Sequence, residues 1–257
     1  MHAAPQVSCG RAWKPALPAA DRGRDRRVGG EAALGHPHQK RAGTRDARLA
    51  IVFFAALVGA FLGAKVAFLV AEGWHHRDDW LALLSGRSVT GALIGGTLAA
   101  EYAKWRFGVV AATGDVFAVT VPLAVAIGRV GCVSAGCCQG VACDAAWWTV
   151  VDADGHARVP SAQIELGFNL AFLSWALTAA RFGWMPTQRF NLYLMAYGVF
   201  RFVHEYWRDD HRWTEAFGGY HAAALAVFVA GAWMFRRRAR LNALVSSTAA
   251  GTAAQGA

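Results

Sequence analysis

Arginine and cysteine side chains stand together in a glycine-rich stretch that directly follows a long apolar run. The stretch IGRVGCVSAGCCQG, residues 127–140, contains Arg129, Cys132, Cys137 and Cys138. The planar guanidinium of an arginine offers several N–H donors that match the oxygens of a phosphate or a carboxylate. A cysteine thiol forms disulfides, acts as a nucleophile in its thiolate form, or binds soft metals. The stretch therefore combines an anion-binding group with sulfur chemistry.

A second polar group lies in the sequence RFVHEYWR, which starts at Arg201. Arg201 and Glu205 are four positions apart and share one face of a helix, which Arg208 continues and His204 borders. Guanidiniums from this face and from Arg129, meeting near one membrane surface, would form a multidentate phosphate site. The abundant phosphate in that location is a phospholipid headgroup.

Ordinary structural roles are also open for these residues. Arg208 alone suits an anchor at the membrane interface, and Arg201 with Glu205 suits a structural ion pair. His204 fits a hydrogen-bonded interior histidine as well as a base. Asp115, which follows Gly114 at the start of an apolar run, suits a helix N-terminus. By themselves, the residues predict a membrane protein with an anion-binding cavity.

The cysteines have three possible roles. Their spacing is C-x4-C-C-x4-C from Cys132 to Cys143, which matches no standard zinc or iron–sulfur motif. We therefore assign no metal ligands and expect no cofactor. Packing or a disulfide, a role as nucleophile or lipid carrier, and soft-metal binding stay open for Cys132, Cys137 and Cys138.

The elements that would position these residues are apolar blocks of membrane-spanning length. The chain has 257 residues and is 55% hydrophobic, and its apolar residues fall in blocks of about twenty, which is the length of a transmembrane helix. The formal net charge is +9, but the basic residues lie at the ends of apolar blocks, so we predict no nucleic-acid partner. The predicted fold is an all-α polytopic membrane protein whose six spans are 49–70, 88–105, 109–127, 161–180, 190–207 and 217–235.

The chain divides into three parts. Residues 1–47 are a polar leader, predicted to be disordered or to be sequence translated from upstream of the true start. Residues 48–237 form the transmembrane domain, and residues 238–257 are predicted to be a flexible tail. Basic residues at both ends favour cytoplasmic termini, because positively charged loops stay inside. The loop 132–160 and the loop 208–215 would then face outward.

Five features in the same order resemble the prolipoprotein diacylglyceryl transferase family. GRVGCVSAGCCQG is similar to the family signature G-R-x-G-N-F-x-N-G-E-x-x-G, and YGVFRFVHEYWRDD to its late Y-G-x-x-R-F-x-x-E-F-x-R. VPSAQIEL resembles H-P-[ST]-Q-L-Y-E, and SVTGALIGG resembles S-F-H-G-G-L-I-G. Asp115 stands fourteen residues before Arg129, where the family also has an aspartate. The similarity runs from about residue 49 to the sixth span.

The resemblance implies an enzyme of the bacterial plasma membrane that transfers a diacylglyceryl group from phosphatidylglycerol to the lipobox cysteine of a prolipoprotein. A thioether forms and glycerol phosphate leaves, and no cofactor is needed. Arg129 and Arg201 would stabilise the phosphate charge, and Glu205 would hold Arg201 or bind the lipid glycerol. The substrate-binding residues implied are Asp115, Gly128, Gly131, Gly140, Gln163, Glu165 and Arg208.

The sequence departs from the family pattern at several positions. Thr90 replaces the family histidine, and Cys132 and Cys137 replace the signature asparagine and glutamate. One further span that usually precedes the first is absent. Two other hypotheses therefore stay open beside the transferase: a non-catalytic phospholipid-binding relative, and a thiol-redox or metal-handling membrane protein that uses the cysteines.

Overall fold

The computed structural model describes residues 37–73, 78–109, 111, 113–209, 213–214 and 217–255, with only the backbone at 37–46, 82 and 244–255. Residues 42–257 form one compact unit, and residues 1–41 form another, of which only the part from Pro37 onward is described. The described part contains seven α-helices and a short β-hairpin between the fourth and fifth of them. In chain order the elements are α1 Pro37–Ala71, α2 Trp80–Ser85, α3 Val89–Phe107, α4 Gly114–Ser134, β1 Val150–Val151, β2 Ala157–Arg158, α5 Ser161–Arg181, α6 Arg189–His204 and α7 Gly219–Gln255.

Within the part of the chain that the structure describes, two helices are long and apolar enough to cross a membrane: Ala47–Ala71 in α1 and Gly114–Ser134, which is α4, with mean hydropathies of 2.3 and 2.0. On α1, Phe54 and Leu57 each expose 68% of their surface, which water would penalise and lipid would not. The mostly helical fold is confirmed. The six predicted spans coincide with the six long helices, and their number as spans stays a prediction.

Polar residues explain why α5 and α6 are less hydropathic than α1. Helix α5 buries Glu165 and Asn169, and α6 buries Arg189, Arg201 and His204. Charged groups inside a membrane bundle are costly, so they face its interior and pair there. The low hydropathy of these two helices therefore comes partly from Glu165, Arg201 and His204, which belong to the site described below.

Glycines let α1 and α3 approach closely. A Cβ atom added at Gly95 would lie 2.2 Å from the carbonyl oxygen of Gly59, and one added at Gly91 would lie 2.3 Å from that of Gly63. Small residues four positions apart are typical of membrane helices in direct backbone contact. The glycine-rich α3 therefore packs directly against the backbone of α1.

The core lies where α4, α5, α6 and α7 meet. Tyr193, Leu194 and Tyr197 of α6 are almost fully buried and belong to one apolar cluster with Phe172 of α5 and Val227 of α7. The rings of Phe172 and Tyr193 pack edge to face, with centroids 5.0 Å apart. These contacts fix the rotation of α6 about its axis, and thus the direction in which its polar stripe points.

Helix α4 continues further than the sequence predicted. The predicted third span ended near Arg129 and the predicted loop began at residue 132, whereas α4 runs to Ser134, so Cys132 lies within the helix instead of in the loop after it. Glycines break helices in water, but they are tolerated in membrane helices, and Val130 and Val133 continue the apolar face. The chain leaves the helix at Gly136, whose φ of +63° is the left-handed conformation that glycine adopts easily.

Both segments that flank the domain are helical where the structure describes them. Helix α1 begins at Pro37, so the end of the predicted disordered leader is helical, and residues 1–36 of that leader lie outside the described residues. Helix α7 extends to Gln255 through the segment 238–257, where a flexible tail was expected. That segment contains no proline and is rich in alanine, the strongest helix former, which favours continuation of the helix.

Candidate functional site

The end of α4 meets the start of α5 through an ion pair between Arg129 and Glu165. The Nη2 atom of Arg129 lies 2.7 Å from Oε2 of Glu165. The Glu165 side chain is 0% exposed and that of Arg129 is 11% exposed, so neither charge has water as an alternative partner. A buried carboxylate of this kind holds a guanidinium in one orientation, at a desolvation cost that only a functional or structural need explains.

Tyrosines of α6 complete the environment of Glu165. The hydroxyl of Tyr197 donates a hydrogen bond of 2.8 Å to Oε1 of Glu165, and the hydroxyl of Tyr193 donates one of 2.9 Å to Oδ1 of Asn169. Sequence reasoning assigned no role to these tyrosines or to Asn169. The available signal was spacing, because Tyr193, Tyr197 and Arg201 recur every four residues on one face of α6.

Arg201 is held at the end of α6 by two neighbours. Its Nη2 atom lies 2.8 Å from Oε2 of Glu205, and its Nη1 atom lies 3.3 Å from Nδ1 of His204. Because a guanidinium only donates, Nδ1 accepts, and the protonated Nε2 then donates to the hydroxyl of Ser161, 3.2 Å away. His204 is therefore a hydrogen-bonded interior histidine that joins α6 to the start of α5.

Three arginines converge around the same carboxylate. Glu165 interacts electrostatically with Arg201, Arg129 and Arg208, and Nε of Arg208 lies 4.0 Å from Oε2 of Glu205. Among the described residues, these three guanidiniums share the two carboxylates of Glu165 and Glu205. A group of guanidiniums in a medium of low dielectric constant attracts an anion strongly. The structure thus brings together five of the predicted residues, Arg129, Glu165, Arg201, Glu205 and Arg208.

Gly140 joins the signature segment to the end of α6. The backbone N–H of Gly140 donates to the carbonyl oxygen of Val159, and that of Val141 donates to the carbonyl oxygen of Trp207, at 2.8 and 3.0 Å. A Cβ atom at Gly140 would lie 2.2 Å from that Trp207 oxygen, so only glycine fits. Since Gly140 also pairs with Arg208 in an isolated bridge, it positions the backbone that carries one of the three guanidiniums.

Gly128 and Gly131 have the opposite surroundings. A Cβ atom added at either position would meet nothing within 4 Å. Their neighbours Ile127 and Val130 are exposed, so this side of α4 is apolar and open. A lipid that approaches along this side would reach the level of Arg129 without displacing another helix.

Three thiols lie beside Arg129. The Sγ atoms of Cys132, Cys137 and Cys138 are all within 4.8 Å of one another, and Nη1 of Arg129 is 3.8 Å from Sγ of Cys132. All three are free cysteines, as is Cys143, which lies outside this group. Burial, followed by the charge of neighbouring Cys132, raises the pKa of the Cys138 thiol to about 11, so in the protein alone it stays protonated at neutral pH.

The remaining predicted residues lie elsewhere. Asp115 is in the first turn of α4, fourteen residues or about 21 Å along the helix from Arg129, and pairs with Nη1 of Arg189 at 3.2 Å. The structure therefore does not bring Asp115 to the arginine cluster. Gln163 is half-buried in the first turn of α5, close in sequence to Glu165. A cavity of about 480 Å³ lies at the Asp115 end, and residues that line it include Lys104, Thr113, Arg237 and Arg238.

Comparison with known proteins identifies a family to which the chain is similar. The family model described as "Prolipoprotein diacylglyceryl transferase" matches residues 32–237. A "Phosphatidylglycerol--prolipoprotein diacylglyceryl transferase" of Legionella pneumophila (strain Corby) is 28% identical over 218 residues, which are 77% of this chain and 82% of the relative. The protein of the same name from Clostridium tetani is 28% identical over 67% of this chain and 73% of its own length. The "transferase 2" of Clostridium perfringens is 25% identical over 61% and 65%.

Proposed function

This chain belongs to the prolipoprotein diacylglyceryl transferase family, and we propose that it transfers a diacylglyceryl group from phosphatidylglycerol to the lipobox cysteine of a prolipoprotein. Family membership makes it a polytopic membrane protein and implies these two substrates. The observation that carries the proposal is the convergence of Arg129, Arg201 and Arg208 around Glu165 at one end of the bundle.

The reaction substitutes sulfur for oxygen at a carbon atom of the lipid. The thiol sulfur of the acceptor attacks the glyceryl carbon that carries the phosphate ester, a C–S bond forms, and the C–O bond breaks. Glycerol phosphate leaves with the electron pair of the broken bond, and the thiol proton is released. Negative charge grows on the leaving phosphate, which guanidiniums fixed in advance stabilise without reorganisation.

Different residues have different parts in this proposal. Arg129 and Arg201 bind the phosphate and are the catalytic residues, and Glu205 orients Arg201. Glu165 orients Arg129, and Tyr197 fixes the Glu165 carboxylate. The ion pairs of 2.7 Å at Arg129 and 2.8 Å at Arg201 fix the plane of each guanidinium, and thereby the direction of its other N–H groups.

The membrane arrangement follows the distribution of charge. We propose that the six long helices cross the bacterial plasma membrane with both termini in the cytoplasm. Arg236, Arg237, Arg238 and Arg240 follow the apolar part of α7, which favours a cytoplasmic position. The Arg129 end then faces outward. In a background in which all five native cysteines are replaced by serine, a membrane-impermeant thiol reagent should label Asp154→Cys in intact cells, and Arg240→Cys only after lysis. The reverse pattern would contradict this orientation.

The transfer reaction is tested with the full chain in lipid nanodiscs that contain phosphatidylglycerol and a fluorescent lipobox peptide. The expected product is a peptide that is heavier by one diacylglyceryl group. Arg129→Lys and Arg201→Lys keep the charge but lose the planar fork, so we expect each to lower the rate by roughly 100-fold or more. Arg189→Lys, at the other end of the bundle, is the matched control and should stay close to wild type.

Two results would contradict the proposal. No peptide product from a wild-type protein that elutes as a folded species would overturn the transferase. Retained binding of phosphatidylglycerol in that case would identify the chain as a non-catalytic phospholipid-binding relative. Equal rates in Arg129→Lys, Arg201→Lys and Arg189→Lys would overturn the assignment of the two catalytic arginines.

A further inference from the structure

We propose that Cys132, Cys137 and Cys138 hold a zinc ion whose fourth position takes the acceptor thiol as a thiolate. This inference rests on the proposed function for its second half, the activation of the acceptor, and on geometry alone for its first half, the metal site.

The three sulfur atoms already lie close to the geometry of a metal site. Zinc binds cysteine sulfur at about 2.3 Å in a tetrahedron, so ligand sulfurs lie roughly 3.8 Å apart. The Sγ atoms of Cys132, Cys137 and Cys138 all lie within 4.8 Å of one another. Small side-chain rotations therefore complete the site. A disulfide would join two of the sulfurs and leave the third beside them, whereas one metal ion uses all three.

The backbone after α4 is shaped so that the sulfurs meet. The chain reverses at Gly136, and the N–H of Cys137 donates to the carbonyl oxygen of Cys132 at 3.1 Å. This turn brings residue 137 back over residue 132. Cys138 has a φ of +58°, a left-handed conformation that a non-glycine residue adopts only at a cost. Unfavourable backbone conformations persist where a functional arrangement needs them, and here the conformation keeps the third thiol in the group.

The charges around the group favour a cation. Three thiolates so close together repel one another, and a divalent ion between them removes most of that repulsion. The Arg129 guanidinium, 3.8 Å from Sγ of Cys132, offsets the negative charge that remains on a three-thiolate zinc site. Thiolates are soft ligands that select zinc or copper(I) over magnesium or calcium. Zinc is redox-inactive, and a site with three protein ligands keeps an open fourth position.

The open position suits the chemistry that the acceptor thiol needs. A thiol that binds zinc loses its proton to solvent, so the nucleophile forms at neutral pH without a side-chain base. Its sulfur then attacks the glyceryl carbon, the C–O bond to phosphate breaks, and the thioether, a weak ligand, leaves the metal. Cys137 and Cys138 are exposed, so an acceptor can reach the site, and Arg129 places the phosphate beside it.

Thr90 leaves this chain without the histidine that could act as a base, so the acceptor thiol needs another way to lose its proton. Thr90 stands where the family pattern has a histidine, and its hydroxyl is buried and lies 2.7 Å from the hydroxyl of Ser88. A threonine hydroxyl does not accept a proton near neutral pH. A metal-bound thiolate removes the need for a base at that position.

The first experiment measures metal binding by the reduced full chain, in a Cys9→Ser background. Zinc content and the thiolate-to-metal charge-transfer absorbance of bound cobalt(II) should indicate one ion per chain. Cys132→Ser, Cys137→Ser and Cys138→Ser should each weaken binding by more than the roughly 10- to 100-fold that loss of an outer partner costs. Cys143→Ser, a cysteine of the same segment outside the group, should bind normally. Absence of stoichiometric binding by the reduced wild type, or an equal loss in Cys143→Ser, would overturn the site.

The second experiment tests the role of the ion. A lipobox peptide should shift the cobalt(II) spectrum, and the same peptide with serine in place of its cysteine should not. Chelation should abolish diacylglyceryl transfer, and added zinc should restore it. Transfer that continues unchanged after complete metal removal would overturn the role and leave the transferase standing. A cysteine-specific spectral shift without any transfer would leave the metal site standing and count against the transferase.

Discussion

The two ends of the helical bundle each join α4 to a neighbouring helix by an arginine–carboxylate pair, but the pairs have different surroundings. At one end, Arg129 pairs with Glu165, and two further arginines interact with the same carboxylate. At the other end, Asp115 pairs with Arg189 and also accepts a hydrogen bond from the N–H of Thr187. The first end gathers three guanidiniums around Glu165, whereas at the second end the guanidinium of Arg189 is held by Asp115 and by backbone carbonyl groups.

Arg189 shows what a structural arginine in this fold does. Its guanidinium donates a hydrogen bond of 3.3 Å to the carbonyl oxygen of Ala179, in the last turn of α5, and one of 2.9 Å to that of Trp184, just beyond the helix. A cation at a helix C-terminus satisfies orphan carbonyl groups and the helix dipole. Arg129 donates to no carbonyl oxygen among its described contacts. The difference indicates that a buried arginine at the end of a helix can bind a ligand only where its N–H groups do not already donate to the carbonyl groups of a helix C-terminus.

The largest expected effect separates the two ends by stability. Glu165→Ala leaves Arg129 buried beside other cations, so we expect the free energy of unfolding to fall by about 3–5 kcal/mol. Asp115→Ala should cost less, about 1–3 kcal/mol, because Arg189 keeps its two carbonyl acceptors and the Asp115 side chain is 27% exposed. Reversible unfolding in mixed micelles measures both. Equal losses would mean that the two pairs do not differ in kind.

A smaller effect is expected at the tyrosines beside Glu165. Tyr197→Phe removes a hydrogen bond to a charged carboxylate and should lower stability by about 1.5–3 kcal/mol. It should also slow diacylglyceryl transfer, because Arg129 is then less firmly oriented. Tyr193→Phe, which loses a bond to the neutral Asn169, should cost about 0.5–1.5 kcal/mol and leave transfer nearly unchanged. A slower Tyr193→Phe enzyme would contradict the distinction.

The open side of α4 is tested with a variant that should leave the fold intact. A Cβ atom at position 128 meets nothing within 4 Å, and leucine is the better helix former by about 0.5–1 kcal/mol, so Gly128→Leu should not lower the free energy of unfolding. We expect it to raise the KM for phosphatidylglycerol, because the side chain occupies the route by which the lipid reaches Arg129. An unchanged KM would show that the lipid enters elsewhere.

The smallest effect is expected in the β-hairpin. Hydrogen bonds from the Arg158 side chain, and then from the N–H of His156, lower the pKa of Asp152. A carboxyl group with a lowered pKa in the folded state stabilises the fold above its unfolded pKa and loses that contribution as the pH falls through the folded pKa. The protection factors of the hairpin amides, which correct for the slower intrinsic hydrogen exchange in acid, should therefore fall only in acid. Asp152→Asn should show the lower protection factors already at neutral pH, and protection equal to wild type there would contradict the role of Asp152.

Sequence patterns predicted the helices and, at the site, the polar face of α6. Apolar blocks gave the six long helices, and the spacing of four between Arg201 and Glu205 gave their ion pair, because the helix repeat alone places them together. The motif order led to Arg129, and in the structure both Arg129 and Arg201 interact with Glu165. Asp115 was grouped with Arg129 by the same motif order, although fourteen helical residues separate them by about 21 Å.

What the sequence by itself determined is local: where helices run, and which residues share a face of one helix. Only the tertiary structure decided that Glu165 of α5 takes Arg129 of α4, that Tyr197 of α6 fixes that carboxylate, and that Asp115 belongs to Arg189. It also decided that three sulfurs meet after α4. The physical reason is that helix geometry follows from hydrogen bonds four residues apart, whereas partners on different helices depend on how side chains far apart in the chain interlock.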